Sequence, residues 1–390
     1  MASETDDLTF EDIDFEEETA GNTSVLLSKR VIGLAISNLL IVAGFLYDWQ
    51  VVPKGEPTFQ EADLGIYQFR GWDVTSVDWM FMWTLVTLFF VVVPPIYRNP
   101  QMARFYLRNF RRHRLGFYSS FVVLGIALIG FFGPLILSPP EFSFTAAYQP
   151  PVGITAKPQG EPVTGTWKYP LGTDSQGRSM LKLVVYGARV SLEIALISTL
   201  IATTIGGIVG ATGAFVGGIV DEVLFRYVDL QAVFPVFIFF LFIASLFGAQ
   251  LWFIIALFGF FSWEGTARLV RAEALQRTEE AYIQSARASG GGTTWIIFRH
   301  VLPNVSVTLI TIATLSVPGF VLGEAALAFL GFSESGIYSW GTTIAAGRNS
   351  LSNAPWISTI PGFFLFFFVL CINAAGDAVA DAIDPRNANQ

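Results

Sequence analysis

The sequence predicts an all-α integral membrane protein, and three observations carry that prediction. Of 390 residues, 53% are hydrophobic and only 14% charged, with a mean hydropathy of +0.54, whereas soluble domains carry about 25% charged residues. Apolar windows near the roughly 20 residues that span a bilayer recur along the chain. Phe (37) and Gly (36) are both abundant, as expected where apolar surface meets acyl chains and small residues let helices approach closely. A disordered, collagen-like or disulfide-framed chain is excluded, the last because Cys371 is the single cysteine.

The chain opens on Glu4, Asp6, Asp7, Glu11, Asp12, Asp14, Glu16, Glu17 and Glu18, nine acids with no base between them. This predicts a solvated, disordered tail over 1–28 whose charge has the wrong sign for a signal peptide. The net charge of −8 is a property of that tail, since the remainder has 22 acids against 23 bases. Arg (18) far exceeds Lys (5), which with the acidic tail suits a salt-adapted or high-GC source.

Eight windows are predicted to span the membrane: 31–47, 80–97, 117–137, 190–216, 230–247, 251–266, 305–329 and 357–379. Between the second and third lie Arg98, Arg104, Arg108, Arg111, Arg112 and Arg114 without an acid, which by the positive-inside rule places that loop in the cytoplasm. Alternation then puts both termini inside, and with them the loop carrying Arg268, Arg271, Arg277, Arg287 and Arg299. In the first outer loop Lys54 and Arg70 are outnumbered by acids. The outer segment 138–187, rich in Pro and Gly, is expected to form a small extracellular lid.

No phosphate-binding loop is present: the run Gly290, Gly291, Gly292 lacks the lysine and follows no strand. His113, His300 and Cys371 assemble no soft-metal site, and neither histidine has a neighbouring Ser or Cys nucleophile. No catalytic residue, cofactor or metal is expected, and energy for uphill transport must come from an ion gradient or a partner.

The inner segment 268–304 reads as helical. Glu279 and Glu280 precede Arg287, matching the helix dipole, and Gly290 supplies a left-handed cap. A second helix is expected from Thr293 or Thr294 to His300, with Pro303 marking a break. Such an element docks a partner or skims the headgroups; pattern alone leaves both open.

Ala286-Arg287-Ala288-Ser289-Gly290, followed by Ile297 to Asn304 with Leu302-Pro303, resembles the EAA loop of ABC importer permeases. The similarity extends through Tyr169-Pro170-Leu171-Gly172-Thr173-Asp174 to Arg178, Tyr186 to Leu192, Asp221, Arg226, Asp229, Pro235, Glu324 with Ala325 to Gly331, Trp340-Gly341, Ala354-Pro355-Trp356, Gly376-Asp377 and Asp381 to Arg386. Together these resemble the C-type permease subunit of dipeptide, oligopeptide and nickel importers over about 109–386. The resemblance implies a six-helix permease core with two additional amino-terminal helices, divided as a tail (1–28), two extra helices with a basic loop (29–108), the first core helix and outer loop (109–187), the core (188–386) with its coupling loop (268–304), and an end segment (387–390). It implies ATPase-coupling roles for Gln284, Ser285, Ala286, Arg287, Gly290, His300, Leu302 and Pro303, and structural or gating roles for Asp221, Arg226, Asp229, Glu324, Asp174 and Arg178. The implied partners are two ATPase subunits, a B-type permease, an extracellular solute-binding protein and the bilayer, with no nucleic acid. The implied solutes are di- or oligopeptides, with nickel or sugars as alternatives, in a multi-pass protein of the plasma membrane.

Three residues depart from the family pattern. Gln284 and Ser285 replace the glutamate and first alanine of the triplet, so an ion pair at the former position cannot form, and Tyr169 stands where the family has His. Arg226 and Asp229, three apart, are expected to pair on a helix. Glu193 and Glu324 fall in apolar windows and are candidates for the pathway, although Glu193 could reach the outer interface. Lipid contact is the simpler account of Phe234, Phe237, Phe239, Phe240 and the run Phe363 to Phe368. The rival readings are a gradient-driven secondary transporter, for which no inverted repeat is visible, and a membrane scaffold that uses the arginine loop for docking or lipid.

Overall fold

The computed structural model describes residues 29–53, 58–59, 62–63, 68–69, 74–158 and 160–383. The acidic tail (1–28), Lys54, Arg70, residues 384–386 and the end segment 387–390 lie outside them. Contacts divide the chain into two compact units, Met1–Arg112 with Asp381–Gln390, and His113–Ala380.

In the first unit, helices α1 (Lys29–Val51) and α2 (Ser76–Arg98) form an antiparallel hairpin, and α3 (Pro100–Arg112) follows α2 after one residue. Gly33 faces the Phe90 ring and Gly44 the Trp79 ring, with a notional Cβ at 2.8 and 2.6 Å. Trp79 Nε1 donates to Asp48 Oδ2 at 3.2 Å. Two-residue strands β1 (Ala62–Asp63) and β2 (Gln68–Phe69) pair antiparallel.

The second unit begins with α4 (Arg114–Ile136), then a loop containing the antiparallel strands β3 (Thr155–Ala156) and β4 (Val163–Thr164). Its hub is α5 (Met180–Val216), 37 residues without proline; at 1.5 Å per residue it is about 55 Å long, well beyond the roughly 30 Å of hydrocarbon. The helix starts ten residues before the predicted window, and two basic residues ahead of that window are held: Lys182, placed by the sequence in the outer segment, donates Nζ to Ser138 Oγ at 2.5 Å, and Arg189 pairs with Glu193 at 2.9 Å. Glu193 is thus buried and ion-paired instead of reaching the outer interface.

Helices α6 (Gly218–Val233) and α7 (Val236–Phe247) meet at 76°. Pro235 donates no N–H and forces Phe234 to extended backbone (ψ 132°), which ends the helix. The predicted fifth span, 230–247, is therefore the second arm of a bent pair, and the loop expected before it is helical. Helices α8 (Leu251–Phe261) and α9 (Glu264–Thr278) together pass the length and apolarity test as one span. Arg268, Arg271 and Arg277 accordingly sit on a continuing helix. Among the described residues seven helices satisfy that test, or eight with the bent pair counted as one span.

Between α5 and α9 the backbones touch. A Cβ at Gly206 would lie 2.8 Å from the Trp263 carbonyl oxygen, and one at Gly210 2.5 Å from that of Ala267. Spaced four apart, the two glycines share one face of α5, the small-residue spacing that draws membrane helices together by dispersion contact.

The chain continues through α10 (Ala281–Ala288), α11 (Thr293–Ile296), a π turn (Ile297–Val301), α12 (Leu302–Asn304), α13 (Ser306–Phe329), α14 (Trp340–Gly347) and α15 (Trp356–Ile383). Ser339 starts α14 with a reciprocal capping box to Thr342. Trp340, fully buried, donates Nε1 to the Val184 carbonyl at 3.0 Å and sets its ring against Phe368. Trp340→Ala should destabilise this unit by about 3–5 kcal/mol. Chemical denaturation in detergent measures it, and a loss below about 1 kcal/mol would show that α14 is held by something else.

Candidate functional site

The segment that closes the α5 end of the second unit is built in two layers. Glu280 has extended backbone (φ −71°, ψ 145°), and its carbonyl accepts the first N–H bonds of α10, from Ile283 and Gln284. Arg277 at the end of α9 pairs with Glu273 (2.9 Å) and Glu280 (3.2 Å), fixing the angle at which α10 departs. At the far end the Gly291 N–H donates to the Ala286 carbonyl and the Gly290 N–H to that of Arg287, both at 3.0 Å. With Gly290 at φ 82° this is a Schellman termination, in which the left-handed residue satisfies two carbonyls that the helix leaves open. The Trp295 ring covers the turn, 3.2 Å from a notional Cβ at Gly291.

The inner layer is apolar. Ile283 is fully buried with Ala211, Ala214 and Phe215 of α5, Val270 and Ala274 of α9, and Ile296, Ile297, Val301 and Val305; Ala286 and Leu302 pack against them. Arg287 Nη2 donates to the Phe215 carbonyl at 3.0 Å, and its guanidinium lies 4.2 Å from the Phe215 ring centroid. Phe215 is the penultimate residue of α5. Its carbonyl is one of four that a helix end leaves without an internal partner, and a cation there also complements the dipole. Arg287, itself exposed, therefore reaches back along the surface and joins α10 to α5.

The outer layer is polar and aromatic. Gln284 and Ser285 are exposed; Gln284 Nε2 donates to the Glu279 carbonyl (3.0 Å), and the Ser285 carbonyl accepts from Ser289 Oγ (2.9 Å). Tyr282, Trp295 (46% exposed) and Phe298 (55%) present rings to the surface. Half-buried His300 lies between two of them, 4.9 Å from Trp295 and 6.2 Å from Tyr282. Burial, and then the charge of Arg299, push its pKa below the usual histidine value. Pro303 is exposed. In place of a break at Pro303, α12 runs through it, and the chain turns at Val305 (φ −98°, ψ 8°). The expected second helix is α11 followed by the π turn, a feature common at functional sites.

The other candidates fall in separate places. Arg226 and Asp229 do not pair: Arg226 bonds Glu222 and Asp229 bonds Arg268, both at 2.9 Å. Asp221 receives both Nε and Nη2 of Arg271, whose guanidinium stacks on Phe225 at 4.6 Å, and Gln231 donates to Glu264 at 3.2 Å. Three links thus lace α6 antiparallel to α9. At the opposite end of α5, Asp174 is buried and accepts from the Gln176 and Arg178 backbone N–H groups and from Arg178 Nε (2.7 Å). The neighbouring Trp356 Nε1 donates to the Thr173 carbonyl. Glu324 is buried against the Ser339 hydroxyl at the start of α14. Sequence reasoning gave no role to Phe215, Arg271 or Ile283: Phe215 meets Arg287 from 72 residues away and Arg271 meets Asp221 from 50, while Ile283 packs on both near and distant residues.

A family model described as "Binding-protein-dependent transport system inner membrane component" matches residues 184–389. One described as the N-terminal transmembrane domain of oligopeptide transport permease C matches 101–151. The oligopeptide transport system permease protein OppC of Haemophilus influenzae is 34% identical over 55% of this chain and 70% of its own length. The protein of that name in Escherichia coli K12 is 33% identical over 55% and 72%. A solved structure titled as inward-facing conformations of the MetNI methionine ABC transporter aligns at TM-score 0.44 and 22% identity, over 53% of this chain and 98% of that one.

Proposed function

This chain belongs to the binding-protein-dependent transport system inner membrane component family, and we propose that α10 and the Gly290 turn are the element through which ATPase subunits drive it. It is a membrane-spanning permease subunit of an ABC importer, multi-pass in the plasma membrane, and its family acts with ATPase and substrate-binding partners. We infer the finer assembly to be two ATPases, a homologous B-type permease and an extracellular solute-binding protein, with ATP hydrolysis confined to the ATPases and both termini of this chain in the cytoplasm. The solutes are di- or oligopeptides, the reading supported by the names of its relatives.

One observation carries the coupling role. The inner face of α10 is locked to the last turn of α5 by Ile283 and Arg287, while Gln284, Ser285, Tyr282, Trp295 and Phe298 stay open. A partner seated on that open face would displace α10 and α5 together, as rigid packed elements move. With Gln284 in place of a carboxylate, the contact relies on amide hydrogen bonds and aromatic area instead of an ion pair. Asp221, Asp229, Asp174, Arg178 and Glu324 are proposed to hold the framework that this displacement acts on.

Affinity purification from native membranes in mild detergent should recover the ATPases and a second permease in near-equal amounts; recovery of this chain alone would sink the importer assembly. Within proteoliposomes, Arg287→Ala removes a charged hydrogen bond and a ring contact worth about 1–3 kcal/mol together. Peptide taken up per ATP should fall severalfold while hydrolysis continues. Arg287→Lys keeps the charge but not the planar stack and should fall between. Equal stoichiometry in all three proteins would remove Arg287 from the coupling route.

A further inference from the structure

Between the β3–β4 hairpin and the start of α15 a cavity of about 650 Å³ opens to the surface, within the size range of small-molecule sites. Its floor is apolar, where Ala156 of the hairpin and Ile360 of α15 pack on the cluster around Trp356. Trp356 Nε1 donates to the Thr173 carbonyl at 3.0 Å, which sets the cavity at the Met180 end of α5, the end remote from the coupling segment. The rim is polar: Lys157 comes from the hairpin, Ser352 and Asn353 from the segment before α15, and Thr359 from its first turn. Lys157 is exposed and has no ion-pair partner among the described residues, Glu161 across the hairpin turn included.

An apolar stripe leads away from this cavity along α15. At 100° per residue Thr359, Ile360, Phe363, Phe366, Phe367 and Leu370 fall within an arc of about 120°. Phe363, Phe366, Phe367 and Leu370 are exposed, and the rings of Phe363 and Phe367 stack at 5.9 Å. From Ile360 to Leu370 the helix rises about 15 Å, half of the roughly 30 Å of hydrocarbon and so the depth of one leaflet. No charged residue interrupts α15 before Asp377.

We propose that this cavity holds the headgroup of one anionic phospholipid, in the leaflet remote from the coupling segment, with an acyl chain laid along the phenylalanine stripe. The Lys157 ammonium meets the phosphodiester as a point charge, and Ser352 and Asn353 supply hydrogen-bond donors. The apolar floor takes the glycerol backbone, and Ile360 passes the chain to Phe363 and Phe367. Continuity selects this occupant: a small soluble anion would use the rim and leave the stripe idle, whereas a neutral lipid would use the stripe and leave Lys157 without a counter-charge. Seated there, the lipid bridges the β3–β4 hairpin to α15.

Native mass spectrometry of the full-length chain in detergent, with dioleoyl phosphatidylglycerol or dioleoyl phosphatidylcholine added, tests this. The wild type should retain phosphatidylglycerol severalfold better than phosphatidylcholine. Lys157→Gln should hold one phosphatidylglycerol fewer, Lys157→Arg should restore it, and Lys168→Gln, at an exposed lysine beside Tyr169 outside the cavity, should leave the count unchanged. Phe363→Ala/Phe367→Ala, which leaves the rim intact, should lose the same molecule. Equal retention of the two lipids, or equal loss in Lys157→Gln and Lys168→Gln, would mean general attraction to the bilayer and overturns the proposal. Displacement of the bound lipid by glycerol phosphate at equal concentration would give the cavity to a soluble anion, and displacement by an oligopeptide would give it to the solute; either overturns it too.

Discussion

Gly290→Val is expected to leave ATP hydrolysis near its normal rate while peptide uptake falls tenfold or more. The residue sits at φ 82° with nothing within 4 Å of a notional Cβ, so a new side chain meets no obstacle. The cost is in the backbone alone: a β-branched residue in the left-handed region is strained by about 1–3 kcal/mol. Relief comes by unwinding the Schellman turn, which releases the carbonyls of Ala286 and Arg287 and shifts Arg287 away from Phe215. Gly290→Asn provides the control, because asparagine enters that region readily, and it should couple almost normally. Uptake and hydrolysis measured in the same proteoliposomes decide the matter. If Val and Asn behave alike, the turn conformation is irrelevant to coupling.

Gly210→Val is expected to prevent α5 and α9 from assembling. Its Cβ would stand 2.5 Å from the Ala267 carbonyl oxygen and 3.0 Å from the Arg271 nitrogen, and backbone atoms cannot rotate aside. Separation would strip cover from Val270 and Ala274, both fully buried, and loosen the seat of Ile283. Overpacking costs about 1–3 kcal/mol where side chains can yield, and more here. Inserted but protease-sensitive protein is the expected product, read by limited trypsin digestion of membranes. Gly207→Ala is the neighbouring control: its Cβ would meet the side-chain tips of Leu309 at 3.1 Å and Leu302 at 3.8 Å, and no backbone. A digestion pattern for Gly210→Val matching the wild type would mean that α9 can ride higher on α5 without penalty.

Hydropathy made the spans legible because lipid imposes length and apolarity on any helix that crosses it. It misplaced the start of α5, where Lys182 donates a hydrogen bond to Ser138 and Arg189 is paired with Glu193, contacts that a window average does not register. The bend at Pro235 was in the sequence, yet averaging over Phe-rich flanks hid it. The Gly290 turn was legible because left-handed backbone selects glycine. The direction of Arg287 was not, since it depends on where α5 ends, 72 residues earlier. The Arg226–Asp229 expectation failed for a related reason: local spacing allowed that pair, but α9 brought Arg268 to Asp229 and left Arg226 to Glu222.

The glycine groove on α5 also sets a schedule. Ala267, whose carbonyl fills the groove at Gly210, is made about 57 residues later; at about 5–20 residues per second that is an interval of about 3–11 s. Throughout it a newly inserted α5 shows lipid a notch shaped for another helix. A second nascent chain from a crowded polysome could fill it first, so slowing synthesis or overexpressing the chain should favour dimers joined through α5, while prompt delivery of α9 protects the monomer fold.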